Sequence, residues 1–159
     1  MGERNEMVLR LGSGLEFAAT TPSGFELKLD SRADPAAVPA APSPMEMLLV
    51  SLGGCTGMDT IAILRKMRQE VSSYELRLDH TRAEEHPRVY KTISMRHILR
   101  GRGIAEANVQ RAIELTMVRY CPVFAMLHDA VEIREWYEIT DEETGSVLEG
   151  EVVPEAAAG

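Results

Sequence analysis

The sequence predicts an α+β fold with the element order β-β-β-α-β-β-α-α-β. Three observations support this prediction. Segments in which apolar and polar residues alternate occur in clusters, a long apolar segment lies between two of these clusters, and 45% of the 159 residues are hydrophobic. Strands that occur in clusters between helices favour an α+β fold over a parallel βαβ sheet. A chain of this length suits one domain of ordinary size.

The first cluster comprises three short strands. They are predicted at Val8–Leu11, Leu15–Thr20 and Phe25–Asp30, and turns that contain glycine or proline separate them. Residues 31–44 follow, with prolines at positions 35, 39, 42 and 44. Because proline lacks an N–H donor and has a fixed φ, this segment is predicted to be a loop.

A long helix is predicted from Met45 to Arg68. Ser43 is its expected N-cap, Pro44 occupies the first helical position and Glu46 the third. Basic residues near the end of this segment favour a helix C-terminus there.

The predicted long helix is apolar almost all round as far as Ile63, which is typical of a helix that is buried on every side. One small sheet covers only one face of a helix. We therefore infer that a second copy of the chain covers the rest, and we predict a homodimer. Gly53, Gly54 and Gly57 are poor helix formers, and we expect them to let another helix or a ligand approach closely.

The second half of the chain contains three predicted strands and two predicted helices. The strands are Tyr74–Asp79, Val89–Leu99 and Val131–Ile139, and the helices are Ile104–Tyr120 and Val123–Asp129. Residues 1–140 are predicted to form a single domain. Residues 141–159 are acidic and then rich in alanine, and we predict that they form a mobile tail.

The formal net charge is −8, which excludes a general nucleic-acid binder because such a protein needs an excess of basic residues. The first ten residues carry several charges and no apolar run, so no targeting signal is predicted. Glu46 and Asp59 lie within the most apolar segment and argue against a membrane span. We therefore expect a cytoplasmic protein that binds neither nucleic acid nor membrane.

The chain has only 2 cysteines, which excludes a disulfide-rich scaffold and a zinc site made of cysteines alone. Cys55 lies inside the predicted long helix. Cys121 directly precedes the short helix, where a helix dipole lowers the pKa of a thiol. Each cysteine alone is typical of inert core packing, whereas both together indicate a working pair.

Asp59 follows Cys55 by four residues and shares its helix face. An ionised Asp59 would raise the pKa of the Cys55 thiol and so oppose thiolate formation. Asp59 could assist the thiol chemistry only by anchoring an arginine or by holding a proton as a general acid. The alternative is a structural cap or salt bridge. The histidines follow no standard zinc spacing and are expected to be strand or surface residues: His80, His86, His97 and His128.

Three motifs occur in order along the chain: Ser43–Leu49 (SPMEMLL), Leu52–Cys55 (LGGC) and Tyr120–Val123 (YCPV). Together they resemble the OsmC/Ohr family of osmotically inducible and organic-hydroperoxide-resistance proteins. The turn Ala83–Pro87 is similar to the OsmC-like branch of that family. The resemblance covers Phe25–Ile139 in element order.

The resemblance implies an intertwined homodimer in which long central helices pack against antiparallel sheets and active sites lie at the subunit interface. It also implies that Cys55 is the peroxidatic cysteine, whose thiolate attacks the peroxide O–O bond and becomes a sulfenic acid. Cys121 would then form a disulfide with Cys55, and a dithiol reductant would restore both thiols. No metal and no bound organic cofactor takes part in that chemistry.

Active peroxidases of the family hold the thiolate with an Arg–Glu pair, in which the Glu directly follows the proline that opens the long helix. Here Met45 follows Pro44, and Glu46 lies one residue later, about 100° further round the helix. Glu46 therefore need not point at Cys55. It is the candidate for the catalytic glutamate, and a favourable charge at the helix N-terminus is its alternative role. Arg10 and Arg32 are the candidates for the arginine.

The leading hypothesis from the sequence is a thiol-dependent peroxidase that reduces organic hydroperoxides or hydrogen peroxide through Cys55 and Cys121. Two alternatives stay open. One is a small-molecule-binding protein with weak or no peroxidase activity, and the other is a redox sensor in which a disulfide alters a partner surface.

Overall fold

The structure is a computed structural model that describes residues 5–32 and 35–154. It divides into two compact units, residues 1–50 and residues 51–159, and each unit is described by itself. The prediction of a single domain over residues 1–140 stays a prediction.

The first unit contains a three-stranded antiparallel sheet. Its strands are β1 (Val8–Leu11), β2 (Phe17–Thr20) and β3 (Glu26–Leu29), in the order β1-β2-β3. Gly24 lies in the turn between β2 and β3 with φ of 88°, a conformation that glycine adopts without steric cost. The three predicted strands are confirmed, β1 with the predicted bounds and β2 and β3 slightly shorter than predicted.

Helix α1 runs from Pro44 to Lys66, close to the predicted bounds, and begins with a capping box. The Glu46 backbone N–H donates to Ser43 Oγ at 3.2 Å. In return, Glu46 Oε2 accepts from the backbone N–H and the hydroxyl of Ser43, both at 2.7 Å. These bonds lower the pKa of Glu46, with the backbone N–H bond as the largest cause. The predicted N-terminus is confirmed.

The second unit is built on a four-stranded sheet in the order β4-β5-β6-β7. Its elements are β4 (Glu70–Arg82), β5 (Tyr90–Arg102), α2 (Glu106–Leu115), a π-helical turn (Thr116–Tyr120), α3 (Pro122–Leu127), β6 (Glu132–Asp141) and β7 (Val147–Val152). The strand pairs are antiparallel except β5 and β6, which are parallel. The expectation of purely antiparallel sheets is therefore wrong at one pair, because α2 and α3 carry the chain back across the sheet before β6 begins.

The prediction of a mobile tail from Asp141 is wrong for residues 147–152. These residues form β7, which pairs antiparallel with β6 between Glu135↔Val152 and Thr140↔Val147. A turn at Asp141 leads into β7, because the Asp141 carboxylate accepts from the backbone N–H groups of Glu143 and Thr144. Backbone hydrogen bonds to β6 hold this segment as a strand, although it contains two glutamates and a glycine. The last five residues of the predicted tail lie outside the described residues.

Within the second unit, the part of α1 from Ser51 onward packs against β4. A methyl group added at Gly53 would lie 3.0 Å from Cδ1 of Leu78, and one added at Gly57 would lie 3.8 Å from Cδ2 of Leu76. Gly53 therefore allows a strand to approach closely, where the sequence predicted a helix or a ligand, whereas the distance at Gly57 is an ordinary van der Waals contact. At Gly54 such a methyl group would meet no atom within 4 Å.

By length and composition α1 is able to cross a membrane. Four of its side chains, spaced four residues apart, are fully buried: Leu52, Thr56, Thr60 and Leu64. A regular buried stripe is typical of a core helix, which passes the same length and composition test.

Polar side chains in the core of the sheet form a hydrogen-bonded network. It begins at Glu135, which is fully buried on β6. Glu135 Oε2 and Nε2 of His97, also fully buried, are 2.6 Å apart. Nδ1 of His97 lies 2.6 Å from the Tyr74 hydroxyl, which is also hydrogen-bonded to Thr60 on α1. Burial raises the pKa of Glu135 and that of Tyr74. His97 lies on a strand, as expected, but it is a fully buried member of a hydrogen-bonded network and not a surface residue.

We expect the substitution Tyr74→Phe to lower the free energy of unfolding by about 1–3 kcal/mol, because it leaves Nδ1 of His97 buried without its hydroxyl partner. The measurement is denaturant unfolding at one fixed protein concentration. Tyr120→Phe is the matched control, because the Tyr120 side chain is 49% exposed. Equal stabilities of both variants and the wild type would contradict a structural role for this network.

Candidate thiol site

Cys55 lies on α1 between two of the buried positions of that helix and is only partly buried itself. Its helix continues for eleven residues to Lys66, so the position of the sulfur is determined by a long regular element. The neighbouring residue Thr56 is fully buried. Cys55 therefore lies at the edge of the packed core, with part of the residue exposed.

Cys121 is the N-cap of α3, as its position in the sequence predicted. Its Sγ accepts a hydrogen bond from the backbone N–H of Phe124 at 3.3 Å, and Pro122 occupies the first turn. The π-helical turn before it ends with the Cys121 backbone N–H donating to the Thr116 carbonyl at 2.9 Å. The Cys121 residue is 2% exposed, so this thiol is enclosed by protein.

The fold brings both cysteines together although 65 residues separate them in the chain. The sulfurs of Cys55 and Cys121 and a carboxylate oxygen of Asp59 all lie within 4.8 Å of one another. Two contacts between α1 and the segment before α3 hold this arrangement. Thr56 Oγ1 lies 3.6 Å from Cys121 Sγ, and Thr60 Oγ1 lies 3.2 Å from Thr116 Oγ1.

The electrostatic environment opposes ionisation of Cys55. Burial is the largest cause that raises its pKa, and hydrogen bonding to Cys121 and the negative charges of Cys121 and Asp59 raise it further. A hydrogen bond from the Val123 backbone N–H acts in the opposite direction. The net result is a pKa of about 11 for the Cys55 thiol, well above the ordinary range.

Asp59 lies beside both sulfurs, and its Oδ2 is buried with no hydrogen-bond partner among the described residues. The sequence predicted that Asp59 shares the helix face of Cys55, and the distances confirm that position. A structural cap or salt bridge was the alternative role for Asp59. Within residues 5–32 and 35–154, Oδ2 accepts no hydrogen bond that would make such a cap or salt bridge. Its negative charge acts on Cys55 in the predicted direction, because it raises the pKa of that thiol.

The other predicted site residues have different surroundings. Glu46 forms the capping box with Ser43 described above. Among the described residues of the second unit, no arginine is a cause of the Cys55 pKa shift. Arg10 and Arg32 belong to the first unit, and their role stays a prediction. A catalytic role for Glu46 stays a prediction.

Sequence reasoning missed the polar residues next to this site. Thr56 and Thr60 contact Cys121 and Thr116, and Thr60 also reaches the chain of hydrogen bonds to His97. The signal in the sequence is weak. Threonines spaced four residues apart in an otherwise apolar helix indicate a polar stripe only once its partners are known.

Comparison with known proteins adds independent information. A sequence model of the OsmC-like protein family matches residues 36–135. The chain is 40% identical over 126 residues to Protein YhfA of Escherichia coli strain K12, which covers 79% of this chain and 91% of that protein. Both results agree with the motifs around Cys55 and Cys121.

Two solved structures illustrate the shared fold. A hypothetical protein from Aquifex aeolicus VF5 superposes with a TM-score of 0.78 at 31% identity, over 89% of this chain and 99% of that one. A Legionella pneumophila protein described as an organic hydroperoxide resistance protein OsmC has a TM-score of 0.61 at 9% identity, over 86% and 96% of the two chains. At that identity the second similarity concerns the fold alone. On the family match and the identity to YhfA, the chain belongs to the OsmC-like protein family.

Proposed function

We propose that the protein is a thiol-dependent peroxidase that reduces organic hydroperoxides or hydrogen peroxide through Cys55 and Cys121. The observation that carries this proposal is the distance of at most 4.8 Å between the two sulfurs, one partly accessible and one buried. The chain also shares its fold with a protein described as an organic hydroperoxide resistance protein.

In the first step the Cys55 thiolate attacks one oxygen of the peroxide ROOH. The O–O bond breaks, the sulfur becomes a sulfenic acid, and the other oxygen leaves with the electron pair and takes up a proton to give ROH. Partial burial leaves Cys55 open to solutes. The Val123 N–H donor favours the thiolate, although burial outweighs it in setting the pKa.

In the second step the Cys121 sulfur attacks the sulfenic acid of Cys55, a disulfide forms, and the oxygen leaves as water. A disulfide has an S–S bond of about 2.0 Å, so the sulfurs must approach each other by less than about 3 Å. The Phe124 N–H bond to Cys121 Sγ, at 3.3 Å, holds that sulfur in place for the attack. A dithiol reductant then returns both cysteines to thiols, so a complete cycle consumes one peroxide and one dithiol.

A second candidate function is a redox sensor with slow turnover. The raised pKa of Cys55 favours it, because little thiolate exists at neutral pH when the pKa is about 11. The thiolate fraction at pH 7 is then on the order of 1 in 10,000. In this case the Cys55–Cys121 disulfide changes the surface around α3 and a partner protein reads that change.

We also propose that the protein is a homodimer, as members of its family are, and that it acts in the cytoplasm, where thiols are kept reduced. Met58 on α1 is 73% exposed, and it lies four residues from Gly54, where an added methyl group meets no atom. An apolar helix face of this kind is stabilised when a second copy covers it.

The first experiment measures peroxide consumption with a dithiol reductant by the wild type, Cys55→Ser and Cys121→Ser. We expect Cys55→Ser to abolish turnover, because no other group forms the sulfenic acid. Cys121→Ser should retain one rapid turnover and then stop, because the sulfenic acid is no longer resolved. Equal activity of the wild type and both variants would contradict the proposal.

The same assay determines whether the Glu46 carboxylate takes part. Glu46→Gln removes the negative charge but still completes a capping box. We expect turnover to stay within about twofold of the wild type, because Glu46 is already bonded to Ser43. A loss of tenfold or more with unchanged stability would assign Glu46 to the reaction. Glu26→Gln, an exposed carboxylate on β3, is the control for charge alone.

The rate at which iodoacetamide alkylates Cys55 should rise about tenfold per pH unit between pH 7 and pH 9, because its pKa lies near 11. Asp59→Asn should increase that rate about twofold to threefold at pH 7.5, because it removes a negative charge that raises this pKa. Peptide mass spectrometry measures the rate at Cys55 alone.

The matched control is Asp79→Asn, which removes an exposed carboxylate that does not contribute to the Cys55 pKa. A plateau below pH 8 in the wild type, or equal rates for all three proteins, would contradict this description of the site.

Light scattering at micromolar concentration should give the mass of a dimer for the wild type, and Met58→Lys should shift the protein towards the monomer. A lysine at this exposed apolar position would carry its charge into the proposed interface. Met126→Lys is a matched control on α3, where Met126 is 72% exposed. A monomeric wild type would contradict the proposed dimer.

A further inference from the structure

The two cysteines and Asp59 form a cluster that the peroxide chemistry does not fully use. Both sulfurs are needed for that chemistry, but the Asp59 carboxylate opposes it by raising the pKa of Cys55. Oδ2 of Asp59 is nevertheless buried beside the sulfurs, with no hydrogen-bond partner among the described residues. A buried carboxylate oxygen without a donor is costly in free energy, and a bound cation is one means of compensating for it.

We propose that Cys55, Cys121 and Asp59 bind one thiophilic divalent cation of the Zn²⁺ type when the cysteines are reduced. Each residue offers one ligand atom, and the three atoms lie within 4.8 Å of one another. The ligand set combines two cysteine sulfurs with one carboxylate oxygen. It therefore does not conflict with the exclusion of a zinc site made of cysteines alone. It goes beyond the peroxidase proposal and does not depend on it.

The spacing of the three atoms is close to that of a zinc site. With Zn–S bonds of about 2.3 Å and tetrahedral angles, two ligand sulfurs lie about 3.8 Å apart. The present separations of up to 4.8 Å therefore require a contraction of at most about 1 Å. Rotation of the side chains about their χ1 bonds is sufficient for a movement of that size.

The identity of the ligand atoms favours a borderline or soft metal ion. Thiolates select Zn²⁺ and similar ions over Mg²⁺ and Ca²⁺, which prefer a shell of oxygen atoms. Three protein ligands leave the fourth tetrahedral position for a water molecule, as in catalytic zinc sites.

The surroundings of the sulfurs also suit metal-bound thiolates. The Val123 N–H donates to Cys55 Sγ, and the Phe124 N–H donates to Cys121 Sγ at 3.3 Å. Thr56 Oγ1, at 3.6 Å from Cys121 Sγ, offers a further hydroxyl. Hydrogen bonds of this kind around the ligands orient them and adjust their affinity for the metal.

Binding replaces the protons of the two thiols by the metal, so two protons are released for each ion bound and no redox change takes place. Both sulfurs then carry the ion and are shielded from electrophiles. The bound form is consequently a reduced, protected state of the same cysteine pair that a peroxide would oxidise.

The test uses fully reduced, metal-free protein without peroxide. Titration with Cd²⁺ should produce a sulfur-to-metal charge-transfer absorbance that saturates at one ion per chain. Zn²⁺ should displace Cd²⁺ and reduce the rate of iodoacetamide alkylation of both cysteines at least tenfold. Cys55→Ser and Cys121→Ser should each abolish stoichiometric binding, and Asp59→Asn should weaken it at least tenfold. Asp79→Asn, on the exposed face of β4, should bind as the wild type does.

X-ray absorption of the Zn²⁺-loaded wild type provides a second measurement that needs no variant. It should show two sulfur ligands at about 2.3 Å and oxygen ligands at about 2.0–2.2 Å. Binding below one ion per chain, equal affinity of Asp59→Asn and the wild type, or a shell without two sulfurs would overturn the proposal. These results are independent of peroxide turnover, so failure of the metal site and failure of the peroxidase are distinguishable.

Discussion

The contact between α1 and the segment that leads into α3 is the interaction on which the candidate site depends. Thr56 and Thr60 are fully buried and lie against Cys121 and Thr116, and these polar contacts fix the register of the two helical segments. Gly53 allows α1 to lie close to Leu78 on β4. Together these contacts place the Cys55 sulfur within 4.8 Å of the Cys121 sulfur.

That placement creates an electrostatic conflict at the centre of the site. Two sulfurs and a carboxylate oxygen share a small volume, and the groups that raise the pKa of Cys55 outweigh the one N–H donor that lowers it. The site is therefore suited to chemistry that neutralises negative charge. Disulfide formation removes both ionisable thiols, and a divalent cation balances the charge of the thiolates that it binds, so one arrangement of atoms supports an oxidised state and a metal-bound state.

The sequence was informative where the signal is local. The strands of the first cluster, the extent of α1, its capping box and the N-cap position of Cys121 follow from periodicity and capping residues. Asp59 was predicted on the Cys55 face because four residues make about one helical turn. In contrast, β7 and the parallel pairing of β5 with β6 depend on backbone bonds between distant segments. The buried Glu135–His97 pair also escaped prediction, since each residue is polar in a strand and becomes a partner only in the folded sheet.

Mapping the disulfide tests whether Cys55 and Cys121 form a redox pair. Reduced protein is treated with one equivalent of hydroperoxide per chain and digested without reductant, and its peptides are identified by mass spectrometry. We expect a Cys55–Cys121 linked peptide within a single chain and, in Cys121→Ser, a sulfenic acid at Cys55 that dimedone traps. Recovery of both cysteines as free thiols after the peroxide has been consumed would contradict it.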